Sequence, residues 1–131
     1  KTFKLGDVVE LDGVVVSFLD VTTSTGSDFN EPADGNVFVL CEFEIANNSS
    51  EELAVSSMLS FEAYCDGYAC EYSLGALMAN DKGQLDGSIA AGKKMKGVIG
   101  YEVPTDWKEL EVQYTTNILS DDKIIFVATN G

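Results

Sequence analysis

The chain has no histidine and no arginine, and only two prolines and three cysteines among its 131 residues. Each shortage excludes something. Without histidine, the imidazole that usually activates a serine or cysteine nucleophile is missing, and so is zinc's most common nitrogen ligand. Without arginine there is no guanidinium fork to clamp a phosphate or read a base. The eight cationic side chains, all lysine, face 22 carboxylates, giving a net charge of −14. Such a surface repels phosphate backbones and anionic lipid headgroups. Nucleic acid is thereby removed as a partner, and cations, neutral ligands such as glycans, or another protein are left. No apolar run in the sequence approaches the roughly 18 residues a membrane-crossing helix requires. At 45% hydrophobic residues the chain is still too apolar for a disordered tail. Length and composition fit a single domain, residues 1–131, with one core.

What the chain does have is alternation. Val37, Val39, Cys41, Phe43 and Ile45 fall on one side of a pleat with Glu42 and Glu44 opposite. That period of two specifies a strand with one buried and one wet face, ended by the turn-forming run Asn47, Asn48, Ser49, Ser50. Further strands are expected over Asp7–Leu11, Val14–Thr22, Leu53–Ser57, Leu59–Cys65, Tyr68–Leu74, within residues 85–104, and over Leu110–Tyr114 and Lys123–Ala128. Asp12-Gly13 and Asp66-Gly67 lie between apolar runs and read as hairpin turns. Two stretches read as exposed loops: Thr23–Gly35, and Gly75–Ser88 with one helical turn at Ala76–Asn80. Seven to nine short strands with frequent turns describe an all-β, antiparallel sandwich.

Four motifs stand in order along the chain: K-L-G-D-x-V-x-L-D-G, G-N-x-F-V followed by N-N-S-S-E-E, A-G-K-K-x-K-G-x-x-x-Y-E-V-P, and S-D-D-K-I-I-F. From about Lys4 to Val127 this order resembles the domain-of-unknown-function lipoproteins of Gram-positive bacteria, which are similar to a secreted mycobacterial immunoprotective antigen. The resemblance implies an immunoglobulin-like sandwich, export, and tethering through a lipidated N-terminal cysteine in a segment outside this chain. It supplies no catalytic or binding residues to carry over.

The residues that could carry chemistry are few. Folding residues 59–74 about Asp66-Gly67 puts Cys65 and Cys70 on one face, whether Cys65 lies opposite Tyr68 or opposite Cys70. In the second register a disulfide could staple the hairpin tip; the alternative is two free thiols packed as small hydrophobes. Cys41, on the core side of its strand, reads as an inert buried thiol. Asp28, Asn30, Glu31 and Asp34 offer oxygen ligands of the kind calcium takes, but their spacing is not that of the helix-loop-helix calcium loop, and a solvated acidic loop is the simpler reading. Phe29, Tyr64, Tyr68 and Trp107 could form a recognition patch, with Trp107, after Pro104, more consistent with packing at the end of the sandwich. Asn47 and Asn48 match glycosylation acceptors and read better as a turn.

No catalytic, cofactor-binding or metal-binding residue is therefore assigned. The expectation is a non-catalytic extracellular module, held at the cell surface only through a lipid anchor ahead of Lys1, whose end loops Thr23–Gly35 and Gly75–Ser88 meet a protein or a glycan. The alternatives are a small hydrolase working with two carboxylates and a calcium-stabilised structural module.

Overall fold

The computed structural model describes residues 1–27, 30–78, 82–116 and 122–130. Among these, the chain forms eleven strands and one short helix. A five-stranded sheet has the order β1 (Thr2–Lys4), β11 (Ile124–Thr129), β10 (Glu109–Tyr114), β6 (Phe61–Cys65), β7 (Tyr68–Cys70). It faces a four-stranded sheet of β2 (Val8–Leu11), β3 (Val14–Ser24), β4 (Asn36–Asn47) and β9 (Lys94–Pro104). The short strands β5 (Leu53–Val55) and β8 (Gly87–Ile89) pair with each other. This is the immunoglobulin-like β-sandwich expected, with two differences. The strand count exceeds seven to nine because several edge strands are only three residues long. One pair, β1 with β11, is parallel, because a chain entering at one end of the sheet meets the last strand running the same way.

The turns form where the sequence places them. Asp12 and Gly13 have φ of 54° and 81°, and Asp66 and Gly67 have 50° and 88°, the paired left-handed geometry that matches the twist of flanking strands. Between the sheets, Phe18 stacks on Phe43 with ring centroids 4.8 Å apart and meets Phe126 edge-on at 5.5 Å. Phe61 and Tyr114 add a contact at 5.0 Å. Such aromatic pairs add to the area buried and fix how the two sheets register.

Three expectations need correcting. First, β4 is not half-wet along its whole length: Phe38 and Leu40, which point away from the sandwich core, are buried in a second cluster with Ala76, Leu77 and Val98. The run V-F-V-L-C is apolar on both faces because both faces are covered. Second, the strand expected over Tyr68–Leu74 stops at Cys70, and Leu74 opens the helix α1 (Leu74–Met78). Third, Gly75–Ser88 is not an exposed end loop. Its helical residues bury Ala76 and Leu77 on the outer face of the four-stranded sheet, Gly83 and Gln84 follow the edge of β9, Leu85 enters the core between the sheets, and Gly87 and Ser88 pair in β8 with β5. Residues 79–81, part of that expected loop, lie outside the described residues.

The Asn47 turn shows why a polar residue ends β4. Its buried Nδ2 donates to the carbonyls of Glu51 (2.7 Å) and Ile89 (2.9 Å), and its Oδ1 accepts from the Ser49 amide (3.1 Å) and hydroxyl (2.6 Å). The side chain expected as a turn former is consumed internally.

Candidate functional site

The sequence candidates scatter. β6 and β7 pair Cys65 with Tyr68 and Ala63 with Cys70, so the two cysteines sit on the same face but diagonally, not opposite, and their thiols are unbridged. Diagonal positions are about 7–8 Å apart, beyond the reach of a disulfide without backbone movement. Cys41 is fully buried, and burial pushes its thiol up to about 12. Burial, then the neighbouring Cys65, pushes Cys70 up to about 11. Burial, followed by Cys41 and Cys70, raises the Tyr101 hydroxyl as well, and that hydroxyl has no hydrogen-bond partner among the described residues. These groups are therefore held neutral, the opposite of what activates a nucleophile.

In the Thr23–Gly35 loop, Asp28 and Phe29 lie outside the described residues. Asn30 is held by paired backbone bonds with Ser27, while Glu31 and Asp34 are exposed. Among the described residues no three His, Cys, Asp or Glu side chains converge as a metal site would require. Trp107 is only 3% exposed and packs in the core, as its position after Pro104 suggests. Tyr68, at 80% exposure, and the partly buried Tyr64 do not join it in a patch.

A concave feature lies at the first of the four motifs, whose Lys4, Leu5 and Asp7 line it together with Trp107, although none of these residue types signals a cleft. A cleft of about 750 Å³ opens between the two sheets at the β1 side, lined among others by Phe3, Val21, Thr23, Trp107, Thr129 and Asn130. It exists because strand pairing stops there on both walls. On one wall, β1 pairs with β11 only as far as Lys4 with Val127, so that among the described residues no strand pairs with Ala128 and Thr129 on that side. On the other, β2 pairs with β3 only as far as Ser17. The connection between β1 and β2 then turns away: Gly6 N–H donates to Phe18 O (2.9 Å), and Phe18 N–H donates to Asp7 O (3.1 Å). A bulge between Phe18 and Asp20 shifts the register of β3 against β4, so the strand leaves the β2 pairing with a changed set of outward groups.

Local hydrogen bonds hold these walls. The Lys4 amide donates to Asp7 Oδ2 at 2.9 Å, fixing the bend between β1 and β2. Asn130 Nδ2 donates to Trp107 O at 2.8 Å, and Asn130 N–H donates to Lys108 O at 3.0 Å, tying the end of β11 to the tryptophan loop. The floor is apolar, from Phe3, Val21 and the buried Trp107, and the lining also carries threonines, an asparagine and one charge of each sign, Lys4 and Asp7. An open cavity of this size with an apolar floor and a few polar rim groups has the character of a ligand site. Cys41, Cys65, Cys70, Tyr101 and Tyr114, whose protonation is displaced by burial, do not line it.

The chain belongs to the DUF4352 family, a domain of unknown function, whose family model matches residues 3–124. No curated protein matches it. Among solved structures it is similar to the ycdA candidate lipoprotein of Bacillus subtilis, with a TM-score of 0.77 at 18% identity. That match covers 93% of this chain but only 38% of the ycdA chain, so this chain spans well under half of that protein. It is also similar to the yjhA protein of Bacillus subtilis, with a TM-score of 0.72 at 13% identity over 95% of this chain and 97% of that one. An uncharacterized β-sandwich protein of Clostridium difficile matches with a TM-score of 0.61 at 16% identity, covering 98% and 95%. At these identities the likeness is one of fold.

Proposed function

We propose that this chain is an exported, non-catalytic interaction domain, held at the cell surface through a lipid anchor, and that the cleft between β1, β3 and β11 receives a protein or glycan. The cleft carries the reading, because it is an open concavity of about 750 Å³ with an apolar floor and a polar rim. The net charge of −14 argues for a neutral or basic partner. Kinship in fold with a candidate lipoprotein supports the surface location.

Labelled protein incubated with cell envelopes tests this. Saturable binding is expected, sensitive to protease or to glycosidase treatment of the envelopes. Thr129→Trp, which fills the cleft from an exposed rim position, should weaken that binding about tenfold or more while leaving the circular dichroism spectrum unchanged. Envelope binding that Thr129→Trp does not touch, or turnover of an envelope component, would overturn the reading.

A further inference from the structure

We infer that the cleft takes an extended polypeptide segment of neutral or basic character, added as a strand along the free edge of β3; this rests on the cleft being the binding site. Three observations converge on a backbone ligand.

The first is the open edge itself. Among the described residues, no strand pairs with Asp20–Ser24 on the side away from β4, although these residues continue the β4 ladder through Val21 with Cys41 and Thr23 with Val39. In an antiparallel ladder every second residue turns its N–H and C=O away from its neighbour, so such a strand presents a row of groups that another backbone satisfies.

The second is the state of one of those groups. The Val21 N–H is taken by the Asp20 carboxylate, Oδ1 at 2.9 Å, a local bond within the strand and not one to β4. Val21 thus belongs to the outward-facing set, and Thr23, two residues on, shares its orientation. Asp20 holds the place of an incoming carbonyl.

The third is the space. The side chains of Val21 and Thr23 line the cleft, so a strand lying along this edge would send alternate side chains onto the apolar floor of Phe3 and Trp107. Strand addition combines such backbone bonds with pockets for every second side chain. A second copy of this chain is disfavoured by a charge of −14 on each, and the carboxylates of Asp7 in the cleft and Asp20 on the edge outnumber the one lysine lining the cleft, Lys4, and favour a cationic segment.

The test uses the whole chain, nitrogen-15 labelled, and acetylated, amidated heptapeptides of alternating valine and threonine that end in lysine, glutamine or glutamate. At millimolar peptide the amide signals of Val21 and Thr23 should shift, and affinity should fall in the order lysine, glutamine, glutamate. N-methylation of every second peptide nitrogen on the pairing edge should weaken binding about tenfold. Asp20→Ala removes the competing carboxylate and should tighten binding of the uncharged, glutamine-ended peptide about threefold. No shift with any of the peptides, or equal binding after N-methylation, would overturn strand addition. If Asp20→Ala drives dimerisation while the native chain binds none of the peptides, Asp20 is a guard against edge pairing and the inference also fails. If N-acetylglucosamine oligomers shift these amides and the peptides do not, strand addition is overturned and the cleft reading survives. Envelope binding indifferent to Thr129→Trp sinks the cleft reading itself.

Discussion

The four-stranded sheet has two edges, and they are treated in opposite ways. At β9 the edge is closed: Ser73 N–H donates to Gly100 O at 2.7 Å, Val98 N–H donates to Gly83 O at 2.8 Å, and Tyr72 and Gln84 form bridges to Tyr101 and Val98. Above that edge, Ala76 and Leu77 cover Phe38, Leu40 and Val98. At the far half of β3 no strand among the described residues pairs with the edge, which carries a bulge and the Asp20 carboxylate. An exposed edge is a hazard that folded chains usually remove. Here one edge has been sealed with residues 72–78 and 83–85, and the other has been left open, among the described residues, beside a cleft. Stability should therefore be concentrated at β9 and the capacity to bind at β3.

The largest effect that would sharpen this contrast is expected at Leu85. It is fully buried within the covering segment, so Leu85→Ala should destabilise the fold by about 2–5 kcal/mol through lost burial and the cavity left behind. Urea unfolding followed by tryptophan fluorescence reads this directly as a lower midpoint. A loss under about 1 kcal/mol would mean that the segment merely rests on the sheet and that the two edges do not differ in kind.

A smaller effect comes from the glycines that let the cover approach. A Cβ at Gly100 would lie 2.7 Å from the Ala76 Cβ and 2.9 Å from Leu40 Cδ2, closer than carbon atoms pack. Gly100→Ala should cost about 1–3 kcal/mol by overpacking. Adding Ala76→Gly removes one of the two clashing atoms and should recover part of that loss despite glycine's poor helix propensity. Strictly additive effects in the double variant would show that the helix does not press on the sheet at this point.

Much of this arrangement is legible in the residues, and the remainder fails for identifiable reasons. Alternation over Val14–Phe18 and Cys41–Ile45, and the Asp-Gly turns, specify the central hairpins because each is a local pattern with one physical solution. The closed edge left a trace that a period of two does not capture: V-F-V-L-C is apolar without a break, which is how a strand buried on both faces reads. Its cover reads as a loop because Gly75, Gly83 and Gly87 punctuate it, and glycine signals a turn and a close approach alike. β1 is not legible in the sequence because three residues show no periodicity and their partners, Ile125–Val127, lie at the other end of the chain. The cleft takes Lys4, Leu5 and Asp7 from the first motif, but nothing in that motif reads as a concavity. It is defined by where two pairings stop, and where a ladder ends depends on tertiary register more than on any one residue. Nor could the sequence choose between the two registers of the Cys65 and Cys70 hairpin, because both put the same side chains on the same face.

The sealed side also has a pH signature. Burial raises the Cys41 thiol from 9.0 to about 12, so the fold holds it neutral while the unfolded chain can release its proton. Its contribution to stability is therefore complete below about pH 9 and is lost as pH rises toward about 12. At pH 10 the loss should be on the order of 1 kcal/mol. Cys41→Ala lowers stability at neutral pH but removes this titration, so the unfolding midpoint should fall less steeply between pH 8 and about 10.5 than in the native chain. Parallel slopes would show that the thiol sees water and that the interior beside β7 and β9 is looser than its packing indicates.

The smallest effect is expected at the open edge, and its smallness is what matters. Leu5 is 48% exposed at the bend between β1 and β2, where it lines the cleft without closing it. A side chain this accessible leaves little apolar area to uncover, and the bend itself is held by the backbone bonds of Gly6 and Asp7 and by the Asp7 carboxylate, none of which involves the leucine side chain. Leu5→Ser should thus change stability by no more than about 0.5 kcal/mol. The same change removes apolar surface from the mouth of the cleft, so it should weaken binding of the lysine-ended heptapeptide several-fold while the urea midpoint stays in place. A loss of stability comparable to that of Leu85→Ala would mean that the two edges share one cooperative core, and a cleft whose walls are also the scaffold could not open for a strand without loosening the fold that holds it.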